Sequence, residues 1–172
     1  AGADAVYCGL KTLSARMAAK NFSVGQLAAL TELAHKQGTK VHLAFNTQLM
    51  TDELVAAGKL LTQVNRYVKP DALIIQDPGV LALVRKAGFE GALHLSTLAG
   101  GHTVRSLQLI RRELGIDQLV LPRELNIDEI KLLAAECPPG LGLEVFIHGA
   151  LCYGVSGRCY WSSYLGGKSS LR

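Results

Sequence analysis

Ala72-Leu73-Ile74-Ile75-Gln76-Asp77-Pro78-Gly79 passes from an apolar run through a polar pair into the start of an amphipathic pattern, and the same junction recurs along the chain. Apolar runs fall at Ala5–Cys8, Lys40–Phe45, Ala72–Gln76, Ala92–Ser96, Gln118–Leu121 and Leu143–Ile147. Short, nearly continuous runs of Val, Ile, Leu and Phe mark strands covered on both faces. Between them lie helical patterns at Val24–Gln37, Asp52–Tyr67, Gly79–Ala87, Val104–Leu114 and Ile127–Glu136. Ser23, Thr51 and Asn126 are expected as N-caps, and Gly38, Gly88 and Gly115 as C-terminal stops.

Strict alternation of short strands and helices implies parallel strands joined by right-handed crossovers. An open doubly wound sheet and a closed barrel both satisfy that rule. The sequence contains no Gly-x-Gly-x-x-Gly after a strand, and six units in succession favour the barrel. The predicted fold class is therefore α/β, a partial parallel (β/α) TIM-type barrel of about six βα units, with residues 1–172 forming a single piece of a barrel domain. Six strands are two short of a closed barrel, so open sheet edges are expected, with oligomerisation through them as one outcome.

The 172 residues, 49% hydrophobic, suffice for one core. No apolar run approaches the roughly 18 residues needed to cross a bilayer, so no membrane partner is expected. The opening Ala1-Gly2-Ala3-Asp4 reads as the interior of a longer protein. Cys8, Cys137, Cys152 and Cys159 are too few and too scattered for a disulfide scaffold, which points to a reducing, cytoplasmic setting. A net charge of +4 permits an RNA partner without requiring one.

In parallel α/β folds chemistry gathers beyond the C-terminal ends of the strands. Those ends read Cys8-Gly9, Asn46-Thr47, Gln76-Asp77, Ser96-Thr97, Arg123-Glu124 and His148-Gly149. Asn46, Asp77, Arg123, Glu124 and His148 are the candidate catalytic groups. Structural alternatives stand beside them: Asp77 as a helix cap, Ser96 and Thr97 as local backbone acceptors, and Arg123 paired with Glu124. Glu144 lies roughly 13 Å below His148 along an extended strand and is expected to be a paired structural carboxylate. His42 and His94 fall inside strands and read as core histidines.

The last strand runs into Glu144-Val-Phe-Ile-His148-Gly-Ala-Leu-Cys152-Tyr-Gly-Val-Ser156-Gly-Arg-Cys159. Two thiols seven positions apart do not fit a zinc knuckle or a thioredoxin-like pair. Iron–sulfur clusters take thiolates from varied spacings, and buried free thiols are the plain alternative. Glu-x-Phe-x-His-Gly-Ala-Leu-Cys followed by Ser-Gly-Arg-Cys resembles the signature of the U-32 peptidase family, the collagenase-like peptidases. Ala1–Gly9, Ser14-Ala15-Arg16, Asn21-Phe22, Ala72–Asp77, His94–Thr97 and Arg123–Leu125 match that family in order.

The resemblance implies an enzyme that hydroxylates an RNA base, in tRNA or rRNA, without oxygen and with prephenate as donor. It also implies a 4Fe–4S cluster on four cysteines, of which Cys152 and Cys159 match the first two. The other two are expected beyond Arg172, so this chain is expected to lack a complete cluster. Cys8 and Cys137 do not match. Arg16 and Arg123 are candidates to clamp a small carboxylate donor, with Ser96 and Thr97 beside them as substrate-binding groups. The alternatives are proteolysis, which the family name records, hydroxylation of a ubiquinone precursor, and a scaffold without activity. The sequence has neither a His-Glu-x-x-His helix nor a Gly-x-Ser-x-Gly elbow, although His148 and Cys152 are close enough in sequence to meet.

Overall fold

Leu43, Ala44 and Phe45 follow one another in sequence and are all buried, which a strand achieves only when both of its faces are covered. A computed structural model describes residues 2–14, 21–149, 152 and 154–166. The chain divides into two units, Ala1–Ala92 and Leu93–Leu171. The first contains strands β1 (Ala5–Gly9), β2 (Lys40–Phe45) and β3 (Ala72–Ile75), with helices α1 (Val24–Lys36), α2 (Leu54–Gln63) and α3 (Pro78–Lys86) after them in turn. Both pairings are parallel, Ala5 opposite Lys40 and His42 opposite Ala72. The core of this unit sits on β2 and β3, against Leu27, Leu61, Val64 and Val80.

Caps explain where the helices begin. Ser23 Oγ accepts from the Gln26 backbone N–H while the Gln26 side chain accepts from the Ser23 N–H, so two orphan donors are satisfied together. Asn126 does the same with Glu129 ahead of α5 (Ile127–Ala135). Thr51 is not a cap. The second helical stretch opens as a 3-10 turn, Thr51–Glu53, and the Glu53 carboxylate closes it by accepting from Met50 N–H at 2.8 Å. That stretch ends in a π turn, Val64–Val68, with Lys69 in the left-handed region. Gly38, Gly88 and Gly115 all take positive φ just past helix ends, as expected.

The second unit holds most of β4 (Ala92–Leu95), then α4 (Val104–Leu114), β5 (Gln118–Val120), α5, β6 (Gly142–Glu144) and α6 (Tyr160–Gly166). Its strands also pair in parallel, His94 opposite Gln118 and Gln118 opposite Gly142. The expected last strand, Leu143–Ile147, is too long at its C-terminal end. The ladder stops where Leu121 N–H donates to the Glu144 carbonyl, and Val145, Phe146 and Ile147 are exposed, Ile147 at 94%. Apolar composition alone could not separate these residues from a buried strand. Helix α6 was not anticipated.

One device is repeated at the strand starts. Asp71, just before β3, accepts the Val41 N–H of β2 at 2.7 Å, and Asp117, just before β5, accepts the Leu93 N–H of β4 at 3.0 Å. Each carboxylate satisfies a donor that the short parallel ladder leaves open. Asp71 also meets His35 Nε2 at 2.9 Å. Partial burial pushes the Asp71 carboxyl up, but the hydrogen bonds from Val41 and His35 outweigh it and hold the group below its ordinary 3.8. A depressed folded pKa gives stability that is present above 3.8 and is lost as pH falls through the folded value. Replacing Asp71 by Asn is expected to cost about 1–2 kcal/mol near pH 7. Urea titrations at a series of pH values should show that deficit intact above pH 3.8 and closing below it.

Candidate active site at the two-thiol loop

In the second unit Arg123 and His148 line one pocket, whereas Ser96 and Thr97 do not line it. Ser96 Oγ accepts from Leu98 N–H at 3.3 Å and caps the short turn Thr97–Ala99. Glu144 accepts a short hydrogen bond from the Gln118 amide, so it is the paired strand carboxylate expected of it. Beyond the ends of β5 and β6 lies a pocket of about 260 Å³, lined by Leu121, Pro122, Arg123, Phe146, His148 and Cys152 among others. The Arg123 guanidinium stacks over the Phe146 ring at 4.2 Å, a cation–π contact that holds the charge at the pocket wall. Arg123 and Glu124 are not an ion pair among the described residues. His148 is exposed, and both it and Cys152 line this pocket.

Glu124 has other partners. Its two carboxylate oxygens accept from Ser156, from the backbone N–H at 2.6 Å and from Oγ at 2.8 Å. His102 Nε2 stands 3.6 Å from the first of them. Burial pushes this carboxyl up, but the Ser156 hydrogen bonds and the neighbouring imidazole outweigh it and keep the group below the usual carboxylate range.

Ser156 and Gly157 form the tip of a tight turn in which Arg158 N–H donates to the Val155 carbonyl at 2.8 Å. Gly157 takes φ +76, and a Cβ there would lie 2.5 Å from the Leu98 carbonyl oxygen. Only glycine permits that approach. The turn folds the chain back so that the sulfurs of Cys152 and Cys159 converge on Gly154: a Cβ at Gly154 would be 3.8 Å from one and 3.7 Å from the other.

Two thiols flanking the same glycine fit half the donor set of a four-thiolate cluster. Among the described residues no group of three or more His, Cys, Asp or Glu side chains converges as a metal site. Cys137 Sγ contacts the Leu141 carbonyl at 3.2 Å, and Cys8 lies within β1 in the first unit.

In the first unit, Asp77 caps α3, accepting from Gly79 N–H at 2.8 Å and from Leu49 N–H at 3.3 Å. Both oxygens are thereby engaged with backbone. Asn46 is half-buried at the end of β2. Arg16 lies outside the described residues. Sequence reasoning gave His102, Ser156 and Gly157 no role in the site; the Ser-Gly pair midway between two cysteines is the available turn signal.

Parallel βα units in strict alternation, with a pocket and a two-thiol loop beyond the strand ends, define the α/β class of partial βα barrels. The chain belongs to peptidase family U32, whose sequence model matches residues 1–172. It is 40% identical over 171 residues to the 23S rRNA 5-hydroxycytidine C2501 synthase of Escherichia coli (strain K12), covering 99% of this chain and 25% of that protein. It is 37% identical to tRNA hydroxylation protein P of Haemophilus influenzae, over 95% of this chain and 35% of the relative. It is 33% identical to a collagenase of Porphyromonas gingivalis, over 94% and 40% respectively. The chain thus spans between a quarter and two-fifths of these relatives. A solved U32 peptidase superposes with a TM-score of 0.70 at 14% identity, over 88% of this chain and 63% of the other, which supports the partial-barrel fold.

The thiols differ sharply in environment. Burial pushes the Cys8 thiol up to about 11, whereas Cys152 is exposed. Alkylation of metal-free, reduced protein at pH 8, read by peptide mass spectrometry, should modify Cys152 first. Cys8 should lag by at least about 100-fold and speed up roughly tenfold per pH unit, because only the thiolate reacts.

Proposed function

We propose that this chain forms part of an enzyme that hydroxylates an RNA base, in rRNA or tRNA, at the pocket beside the two-thiol loop. The observation that carries the reading is the match, along almost its whole length, to proteins named for rRNA and tRNA hydroxylation. The convergence of Cys152 and Cys159 on Gly154 supports it further. Both thiolates would hold a 4Fe–4S cluster, with two further ligands from elsewhere in the full protein. When bound, the cluster supplies electron exchange next to the pocket.

Replacing a ring C–H by C–OH is a two-electron oxidation, so a donor must give up a hydroxyl and leave carrying the hydrogen. Arg123 has no hydrogen-bond or ion-pair partner among the described residues. Its guanidinium, steadied on Phe146, suits a carboxylate-bearing donor of this kind. His148 is the imidazole lining the same pocket and is suited to moving a proton at the base. The net positive charge agrees with an RNA partner, and RNA substrates together with reduced cysteines agree with a cytoplasmic setting. No helix among the described residues is long and apolar enough to cross a membrane.

The second reading is proteolysis, favoured by the collagenase among the relatives. Its geometry is weaker. The imidazole of a hydrolytic triad lies between the nucleophile and the carboxylate. Here Ser156 Oγ bonds to Glu124 directly, and no hydrogen bond joins His148 to Cys152 among the described residues.

Nucleosides from rRNA and tRNA of a deletion strain, compared by mass spectrometry with the parent, should lack one hydroxylated base. The wild-type gene should restore it and Cys152→Ser should not, while Arg123→Ala should lower its level at least about tenfold. An unchanged nucleoside profile, with chelator-insensitive cleavage of gelatin by the purified protein, would replace hydroxylation by proteolysis.

A further inference from the structure

Neither family membership nor the proposed reaction gives a role to the cluster of Glu124, Ser156, His102 and Gly157. We propose that Glu124 is a positioning residue for the two-thiol loop, fixing how the sulfurs of Cys152 and Cys159 face each other before any metal arrives. The inference rests on the reading of those two cysteines as ligands, and it concerns how they are held.

Three observations carry it. Glu124 lies 32 residues before Ser156, in the turn four residues past the end of β5, so it ties the loop to the segment leaving that strand and not to the loop's own backbone. Both carboxylate oxygens are used on one residue, the backbone N–H and the hydroxyl of Ser156, so the tip is gripped at two points and cannot swivel about one. The other side of the tip is blocked, because Gly157 sits against the Leu98 carbonyl with no room for a Cβ. The grip falls between the cysteines, four residues after Cys152 and three before Cys159. A loop fixed at its apex presents its two ends at a set separation, whereas a free loop spends much of its time with the sulfurs apart. Ligands held in place beforehand bind a metal with less ordering cost.

The alternative use of these groups is as a nucleophile with its base. It fails on order, since the carboxylate stands between serine and histidine.

The test compares full-length, anaerobically purified protein with Glu124→Ala, Glu124→Gln, Ser156→Ala and the Glu124→Ala/Ser156→Ala double variant. If the wild type carries iron, the readout is the rate at which a chelator removes it. If it carries none, the cluster reading fails on its own, and the readout is the rate at which dibromobimane bridges Cys152 to Cys159, mapped on the linked peptide. Loss of the grip should speed iron release, or slow bridging, about tenfold in Glu124→Ala, as expected for losing two charge-assisted hydrogen bonds. Glu124→Gln keeps an acceptor oxygen and should recover to within about threefold of wild type.

The double variant should be no worse than Glu124→Ala alone, because both changes break one contact. Wild-type rates in Glu124→Ala, or effects that multiply in the double variant, would overturn the proposal. Should Glu124→Ala not fold, Glu124→Gln with Ser156→Ala gives the same cycle, and multiplying effects there would overturn it equally.

Discussion

A parallel strand covered on both faces can place chemistry only where it ends. Leu43, Ala44 and Phe45 in one unit, and Leu119, Val120 and Leu121 in the other, are buried in succession and leave no face for a polar group. His42 and His94 lie within β2 and β4, but the carboxylates Asp71, Asp117, Asp77 and Glu124 lie near strand starts or beyond strand ends, and the two places serve different purposes. At the starts, Asp71 and Asp117 complete the ladder by accepting backbone donors. At the ends of β5 and β6 the chain leaves the sheet early, exposes Val145–Ile147, and opens the pocket beside the thiols.

The carboxylates near the strand ends differ in what they have left to offer. Asp77 is committed to Gly79 and Leu49, and Glu124 to Ser156, so both have their oxygens engaged in holding chain. Arg123 and His148 line the pocket without such commitments among the described residues. The groups available to a substrate are therefore a cation steadied on an aromatic ring and an exposed imidazole, next to sulfur. That combination suits an anionic donor and proton movement better than it suits acyl transfer.

Much of this was legible in the sequence because the signals are local. Runs of β-branched and aliphatic residues located the six strands of the described residues, and the periodicity between them located α1 to α5. Ser23 and Asn126 announced their helices because each is followed, three residues on, by a side chain that returns the hydrogen bond. Thr51 misled because the closing side chain, Glu53, serves Met50 instead. Leu143–Ile147 misled because apolar residues in an exposed segment look like those in a buried strand. The two cysteines could be marked as a pair from their signature, but their convergence could not. It depends on a turn at Ser156-Gly157 and on a carboxylate 32 residues away, and distant pairings of that kind leave no periodic trace.

On the proposed reading, Cys152 and Cys159 are two of the thiolates of one iron–sulfur cluster. Iron and acid-labile sulfide, measured on full-length protein purified without oxygen, test it most directly. About four of each per chain should be present in the wild type, and both should fall sharply in Cys152→Ser and in Cys159→Ser separately. Protein without iron, or with iron that neither substitution disturbs, would contradict the account.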